Sequence, residues 1–373
     1  MRRYCIAVVG AVILCILVVG CRSPLSSEPE PDSNGSTEDP GDNGNEDPGD
    51  NGNDDPGDNG DADILVYVGG YQRQGVVNVA AYWVDDGEEV TRTDLASGDG
   101  AEVLGIYVDD AGVVYAAGYY RSGGVDRAAY WKDGQRTELD SDARASGIVV
   151  REGVVYVSGY AGDDAVTWRD DGTVTRRELH TTSAAKATGI AVDASGVVYV
   201  SGYYDDEDHN VAVYWRDSGE DPIERVDLYP DGLSEANAIY VDEDVYVAGR
   251  YLDGTVFAAY WVNDAAGLTP LTGDAGNAKG IMRRDGSIVA VGDYRDEYRR
   301  AAVWENGGRS DLPGSEVGVA TMAYGLAVHE GVLYVSGGDG SGDGEEAVYW
   351  NNGVLVELAA GVTSRAHAIL VRE

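Results

Sequence analysis

Apolar and polar positions alternate along most of this chain in short runs, and the runs come in sets of four, as in VLGIYVD, VVYAAGYY, DRAAYWK and QRTELD. Such segments are rich in Val, Ile and Tyr and lack a long 3.6-residue apolar period, so they predict strands throughout. Between the first and second runs lie DDAG, REG, DASG, DED, RDG and HEG, and after the third come DDG, KDG, NGG and NNG. These stretches predict tight hairpins, in which Asn and Gly supply positive φ.

The sets are copies of one another. GVVYVSGY stands at Gly153 to Tyr160 and again, unchanged, at Gly196 to Tyr203. Looser copies begin at Val66, Val113, Asp244, Ser287 and Gly331. A tryptophan follows each copy: Trp83, Trp131, Trp168, Trp215, Trp261, Trp304 and Trp350, which are all 7 the chain has. Each unit then carries a leucine (Leu95, Leu139, Leu179, Leu228, Leu271, Leu312, Leu358) and a small residue before Ile or Leu, as at Gly105-Ile106 and Ala368-Ile369.

Four antiparallel strands recurring at about 40 to 50 residues are the pattern of a β-propeller blade. The expected fold is all-β: a seven-bladed β-propeller over residues 64–373, with four strands per blade. The chain enters its first unit at the second strand, ILVYVGGY, and finishes on a lone first strand, AHAILV. That last strand is expected to complete the N-terminal blade and close the ring, leaving no open sheet edge. The tryptophans are expected to be wedges between blades, and the repeated glycine a structural requirement of covered strands.

Ahead of the repeats, MRRYCIAVVGAVILCILVVGC has two arginines, an apolar run and small residues before a cysteine. This is the layout of a signal peptide, residues 1–21, whose apolar stretch is shorter than the roughly 20 residues of a membrane span. Residues 22–63 are polar and repeat EDPGDNGN, EDPGDNGN and DDPGDNGD, a composition that buries no core. They predict a disordered acidic linker, a stalk reaching at most about 130 Å.

VVGC resembles the lipobox of bacterial lipoproteins, which implies lipidation of Cys21, loss of Cys5 and Cys15 with the signal, and a mature domain without thiols. Arg22 after the cysteine implies, by resemblance to Gram-negative sorting, the outer membrane. The repeating unit resembles the HAF-type repeats of bacterial extracellular proteins and is similar to the propeller lipoproteins of spirochaetes and Bacteroidetes. Pairs such as Ala81-Tyr82 stand where that family has His-Ala-Phe. The resemblance implies the fold and export to the cell envelope; the family has no agreed activity.

Charge narrows the partners. The chain carries −39 at pH 7. Arg2 and Arg3 contribute two positive charges to the signal, and one arginine against fourteen acids gives the linker thirteen negative ones, which leaves −28 on the repeats. Nucleic acid is therefore not an expected partner; the expected ones are the membrane, through the lipid, and a protein or polysaccharide bound by a monomeric propeller.

Catalytic motifs are sparse. His180, His209, His329 and His367 form no metal-binding spacing, and neither a G-x-S-x-G elbow nor a phosphate loop occurs. The expectation is a binding or scaffold module, with a carbohydrate-active enzyme (glycosidase or lyase) using paired carboxylates as the alternative. No cofactor is expected beyond calcium at Asp339, Ser341 and Asp343, which match the start of a calcium loop whose closing glutamate position holds Trp350.

Candidate binding residues follow from strand direction. The second-to-third and fourth-to-first connections share one face and are the long, variable ones, where function tends to be placed. One freely varying position, occupied by Leu104, Ser146, Thr188, Asn237, Lys279, Tyr324 and His367, is expected to ring the channel mouth. Tyr and Arg are the usual interface anchors, which singles out Tyr294, Arg295, Tyr298, Arg299 and Arg300 in the sixth unit and Tyr119, Tyr120 and Arg121 in the second.

Overall fold

The computed structural model describes residues 64–97, 100–314, 318–340 and 344–373. The signal peptide, Cys21 and the linker lie outside the described residues. What is described is almost entirely antiparallel strand, arranged as a propeller.

One sheet shows how the sequence makes a blade. The inner strand β4 (Ala101–Val108) pairs with β5 (Val114–Ser122), then β6 (Val125–Lys132), then β7 (Gln135–Ser141). The β6–β7 hairpin turns through Asp133 (φ 46°) and Gly134 (φ 77°), as the DG dipeptide predicts. Burial falls outward: β5 is nearly all buried, while β7 is mostly exposed or half-exposed. This explains why the second strand of each unit is the most apolar and the fourth the most polar.

All seven tryptophans are buried, at 0–1 % exposure. In the duplicated octapeptide, a Cβ on Gly202 would collide with the Lys186 carbonyl and lie 2.7 Å from Cζ3 of Trp215. Gly159 meets the Arg144 carbonyl and Trp168 in the same way. Gly337 meets Trp350 likewise, so in these three units the glycine and tryptophan are one packing device, since close-packed interiors leave no room for an added methyl.

The remaining inner strands are β8 (Ala143–Arg151), β12 (Ala185–Val192), β16 (Ser234–Val241), the second half of β19 (Thr269–Arg284), β23 (Thr321–His329) and β27 (Ser364–Arg372). Each lies beside the next, and β27 lies between β23 and β4. β27 also pairs with β1 (Leu65–Gln74) from Leu65↔Arg372 to Gln72↔Ser364.

The expectation of seven separate four-stranded sheets is corrected in one place. There are five four-stranded sheets and one of seven strands, running from β16 to β22 (Gly308–Asp311). The cause is β19, 16 residues long, which pairs with β18 (Thr255–Val262) through its first part and with β20 (Ser287–Arg295) from Ala275 onward. Ahead of β8 the chain turns at Asp142 (φ 54°); among the described residues from Thr269 to Arg284 none takes a positive φ.

Candidate binding site at the axial mouth

Every inner strand carries one β-bulge at the same place. The register skips Leu104, Ser146, Thr188, Asn237, Lys279 and Tyr324 between their paired neighbours, and skips His367 opposite Gly69/Gly70. A bulged residue is left out of the ladder and its side chain is re-aimed. Residues from all seven inner strands then line one cavity of about 270 Å³, six of these seven positions among them. Larger cavities exist, such as the cleft of about 400 Å³ beside Trp168 and Asp217, but each gathers residues from neighbouring sheets only.

Two residues before each bulge stand Glu102, Arg144, Lys186, Glu235, Asn277, Met322 and Arg365, and their partners on the second strands include Tyr71, Tyr119, Tyr160, Tyr203, Arg250 and Asp293. Over part of the ring, cations cover tyrosines of the preceding sheet: the Arg144 guanidinium lies 3.9 Å from the Tyr119 ring centre and the Lys186 ammonium 4.8 Å from that of Tyr160. Arg144 also donates to Asp126 at 2.7 Å, and Arg250 pairs with Glu235 at 2.6 Å. Burial, aided by the Glu235 charge, pushes the Tyr203 hydroxyl up to about 12, so it stays a donor.

The chemistry is uneven around the ring. Leu104, Ser146, Thr188 and Asn237 occupy one side, while Lys279, Tyr324 and His367 occupy the arc from β19 to β27. Lys279 Nζ pairs with Asp293 Oδ1 at 2.6 Å and lies 4.3 Å from the Tyr324 ring centre. Burial lowers the pKa of Lys279, against the pull of Asp293. Asp293 also receives Arg299 Nε at 3.2 Å. The Tyr324 hydroxyl donates to Glu345 Oε1 at 3.1 Å, and Arg365 grips Glu345 through Nε at 2.9 Å and through Nη2. Glu345 is 1 % exposed; it fills the space above Gly338, where any Cβ would strike its carboxylate. His367 Nε2 lies 3.5 Å from Glu102, to which Asn78 also donates at 3.2 Å.

The sequence-derived candidates divide. Tyr119, Tyr324 and His367 belong to the mouth, and Arg299 reaches its rim. Tyr120 faces the other way, its ring 4.0 Å from the Arg136 guanidinium. Tyr294 is 2 % exposed, packs under Arg309 and donates to Asp311 at 2.9 Å, inside the fold. Arg295 is exposed at the end of β20, Tyr298 is 47 % exposed in the hairpin beyond, Arg300 pairs with Asp296 at 2.9 Å, and Arg121 pairs with Asp126 at 3.1 Å. Asp339 is buried at the end of β24 (Val332–Asp339), while Ser341 and Asp343 lie outside the described residues. Glu102, Asp293, Glu345 and Arg365 were not singled out from sequence; the signal that marks Glu102 and Arg365 is their fixed place two residues before the varying position.

No family model and no curated protein matches the chain. Solved structures do. The chain is similar to puromycin hydrolase (13 % identity, TM-score 0.54, 81 % of this chain and 52 % of that one) and to the β-propeller domain of the Trilobed protease from Pyrococcus furiosus (10 %, 0.51, 80 % and 92 %). A Lactobacillus plantarum protein aligns at 10 % identity with a TM-score of 0.47, over 83 % of this chain and 99 % of that one. The first two likenesses show a β-propeller fold and nothing finer.

Proposed function

We propose that the protein is an exported lipoprotein of the cell envelope, anchored through Cys21, whose seven-bladed propeller binds a polysaccharide or protein at its axial mouth without catalysis. The blade count rests on the seven inner strands around one cavity, with β19 serving two blades. The β27–β1 ladder supports closure of the ring by the last strand. The observation that carries the binding role is the bulge: every inner strand repeats it, while the side chain at the bulge and the residue two places before it differ from strand to strand. A backbone feature kept in seven strands and dressed with different side chains at one mouth supports a recognition role.

Buried carboxylates at the same mouth, Asp293 and Glu345, favour carbohydrate cleavage as the second reading. Incubating the full-length protein with a panel of cell-surface polysaccharides, and measuring both retention and released sugar, separates the two. Retention without release supports the binding module; turnover overturns it.

A further inference from the structure

The arc between β19 and β27 holds an unequal set of charges. Asp293 is shared by two cations, Lys279 and Arg299, and Glu345 is held by Arg365, so three cations face two carboxylates. His367 and Glu102 form a separate pair beside them. This happens on a chain of net charge −39 in which Lys132, Lys186 and Lys279 are the lysines, two of them at the mouth.

Placing an ammonium where little water reaches it costs free energy unless partners compensate. Lys279 has Asp293 on one side and a tyrosine face on the other, and it shares that carboxylate with Arg299. The Arg365 fork is committed to Glu345 through Nε and Nη2. Lys279 keeps donor capacity, since an ammonium has three N–H groups. A carboxylate entering from the cavity would give the Lys279 ammonium a further acceptor. Tyr203, half-buried and paired in register with Lys186, offers a flat apolar face of the kind on which sugar rings lie.

We infer that Lys279 and His367, which both line the cavity, form a subsite for the carboxylate of an acidic sugar, a uronic acid residue within a polysaccharide, with Arg365 holding Glu345 beside it. The inference rests on the mouth being the binding face and adds the chemical class of what enters it.

Amine footprinting reads the site in the unaltered chain. The full-length protein is acetylated with and without polygalacturonate, with dextran as a neutral control and inorganic phosphate as a free anion, and the rates at Lys279, Lys186 and Lys132 are followed by mass spectrometry. Polygalacturonate is expected to slow Lys279 at least tenfold while leaving Lys132 unchanged; dextran and phosphate leave all three unchanged. Lys279→Gln is expected to weaken retention of polygalacturonate about tenfold, and Lys279→Arg to restore it. Polygalacturonate retained with Lys279 labelled at its free rate would overturn the subsite while leaving a binding mouth intact. Equal protection by dextran would overturn the carboxylate class, equal protection by phosphate would make the site one for a free anion, and no retention of polygalacturonate would overturn the inference outright.

Discussion

Of the hydrogen bonds that join the last sheet to the first, that between Tyr349 and Asp85 is one whose loss can be measured. Tyr349, on β25 (Glu346–Asn351), donates to Asp85 Oδ2 at 2.6 Å, and both residues are buried, at 4 % and 8 % exposure. Burial, the hydrogen bond and the Asp85 charge all raise the Tyr349 pKa, so the phenol is a donor at neutral pH. The same contact occurs inside the array, where Tyr130 donates to Asp170, also at 2.6 Å. Tyr349→Phe removes the hydroxyl and leaves the buried carboxylate short of a partner. Hydrogen bonds to charged groups contribute about 1.5–3 kcal/mol. With an unfolding entropy of ~2.1 cal/mol/K per residue over about 310 residues, a loss of ~2 kcal/mol lowers Tm by roughly 3 °C. Scanning calorimetry of Tyr349→Phe and Tyr130→Phe should give similar losses, and a double-mutant cycle with Asp85→Asn should show coupling for Tyr349. If Tyr130→Phe costs this much and Tyr349→Phe nothing, the first and last blades do not meet and the closed ring is wrong.

Cys21→Ser should leave the precursor unprocessed or misplaced on fractionation, and normal membrane partitioning of that variant would remove the lipoprotein assignment. Gly202→Ala should destabilise by the upper end of the ~1–3 kcal/mol of overpacked cores, read by urea unfolding, whereas Gly196→Asn, at φ 86° with open space around it, should cost under about 1 kcal/mol. At Glu102 burial works to raise the pKa, but hydrogen bonds and charge from His367, Tyr119 and Asn78 hold it below the usual glutamate value. Its stabilisation is then complete above the unfolded pKa of about 4.3 and is lost as pH falls through the depressed folded one. Glu102→Gln should flatten the acid limb of the stability curve, and an unaltered limb would mean that the Glu102 cluster carries no net free energy.

Much of this could be read from the sequence because repetition supplies its own alignment. Seven tryptophans at one place in seven units identify a core wedge without any structure, and the DG, NG and EG hairpins carry their φ requirement in their composition. The varying residue before each Gly-Ile or Ala-Ile pair was legible as a ring for the same reason. The direction of neighbouring side chains was not. Consecutive residues of a strand face opposite ways, so Tyr119 meets Glu102 at the mouth while Tyr120 packs away from it, and in the sixth unit Asp293 takes the mouth while Tyr294 turns inward. Without the bulge that sets the phase, a Tyr-Tyr or Asp-Tyr pair does not say which member is which. The role of Glu345 was hidden differently: in GDGSGDGEE it reads as one more acid of a loop, and only the missing side chain of Gly338 makes room for it beside Tyr324 and Arg365. Nor does any composition rule announce that β19 will run unbroken from one blade into the next.

The central claim, that the face carrying the long connections binds the ligand, is tested most directly by hydrogen–deuterium exchange of the full-length protein with and without a retained polysaccharide. Protection is expected in the starts of the inner strands, around Glu102, Lys279 and Arg365, and in the second-to-third hairpins such as those at Arg121 and Tyr298. The opposite hairpins, at Asp133, Glu152 and Asp285, should exchange at unchanged rates. Protection confined to those opposite hairpins, with the mouth unaffected, would contradict the account.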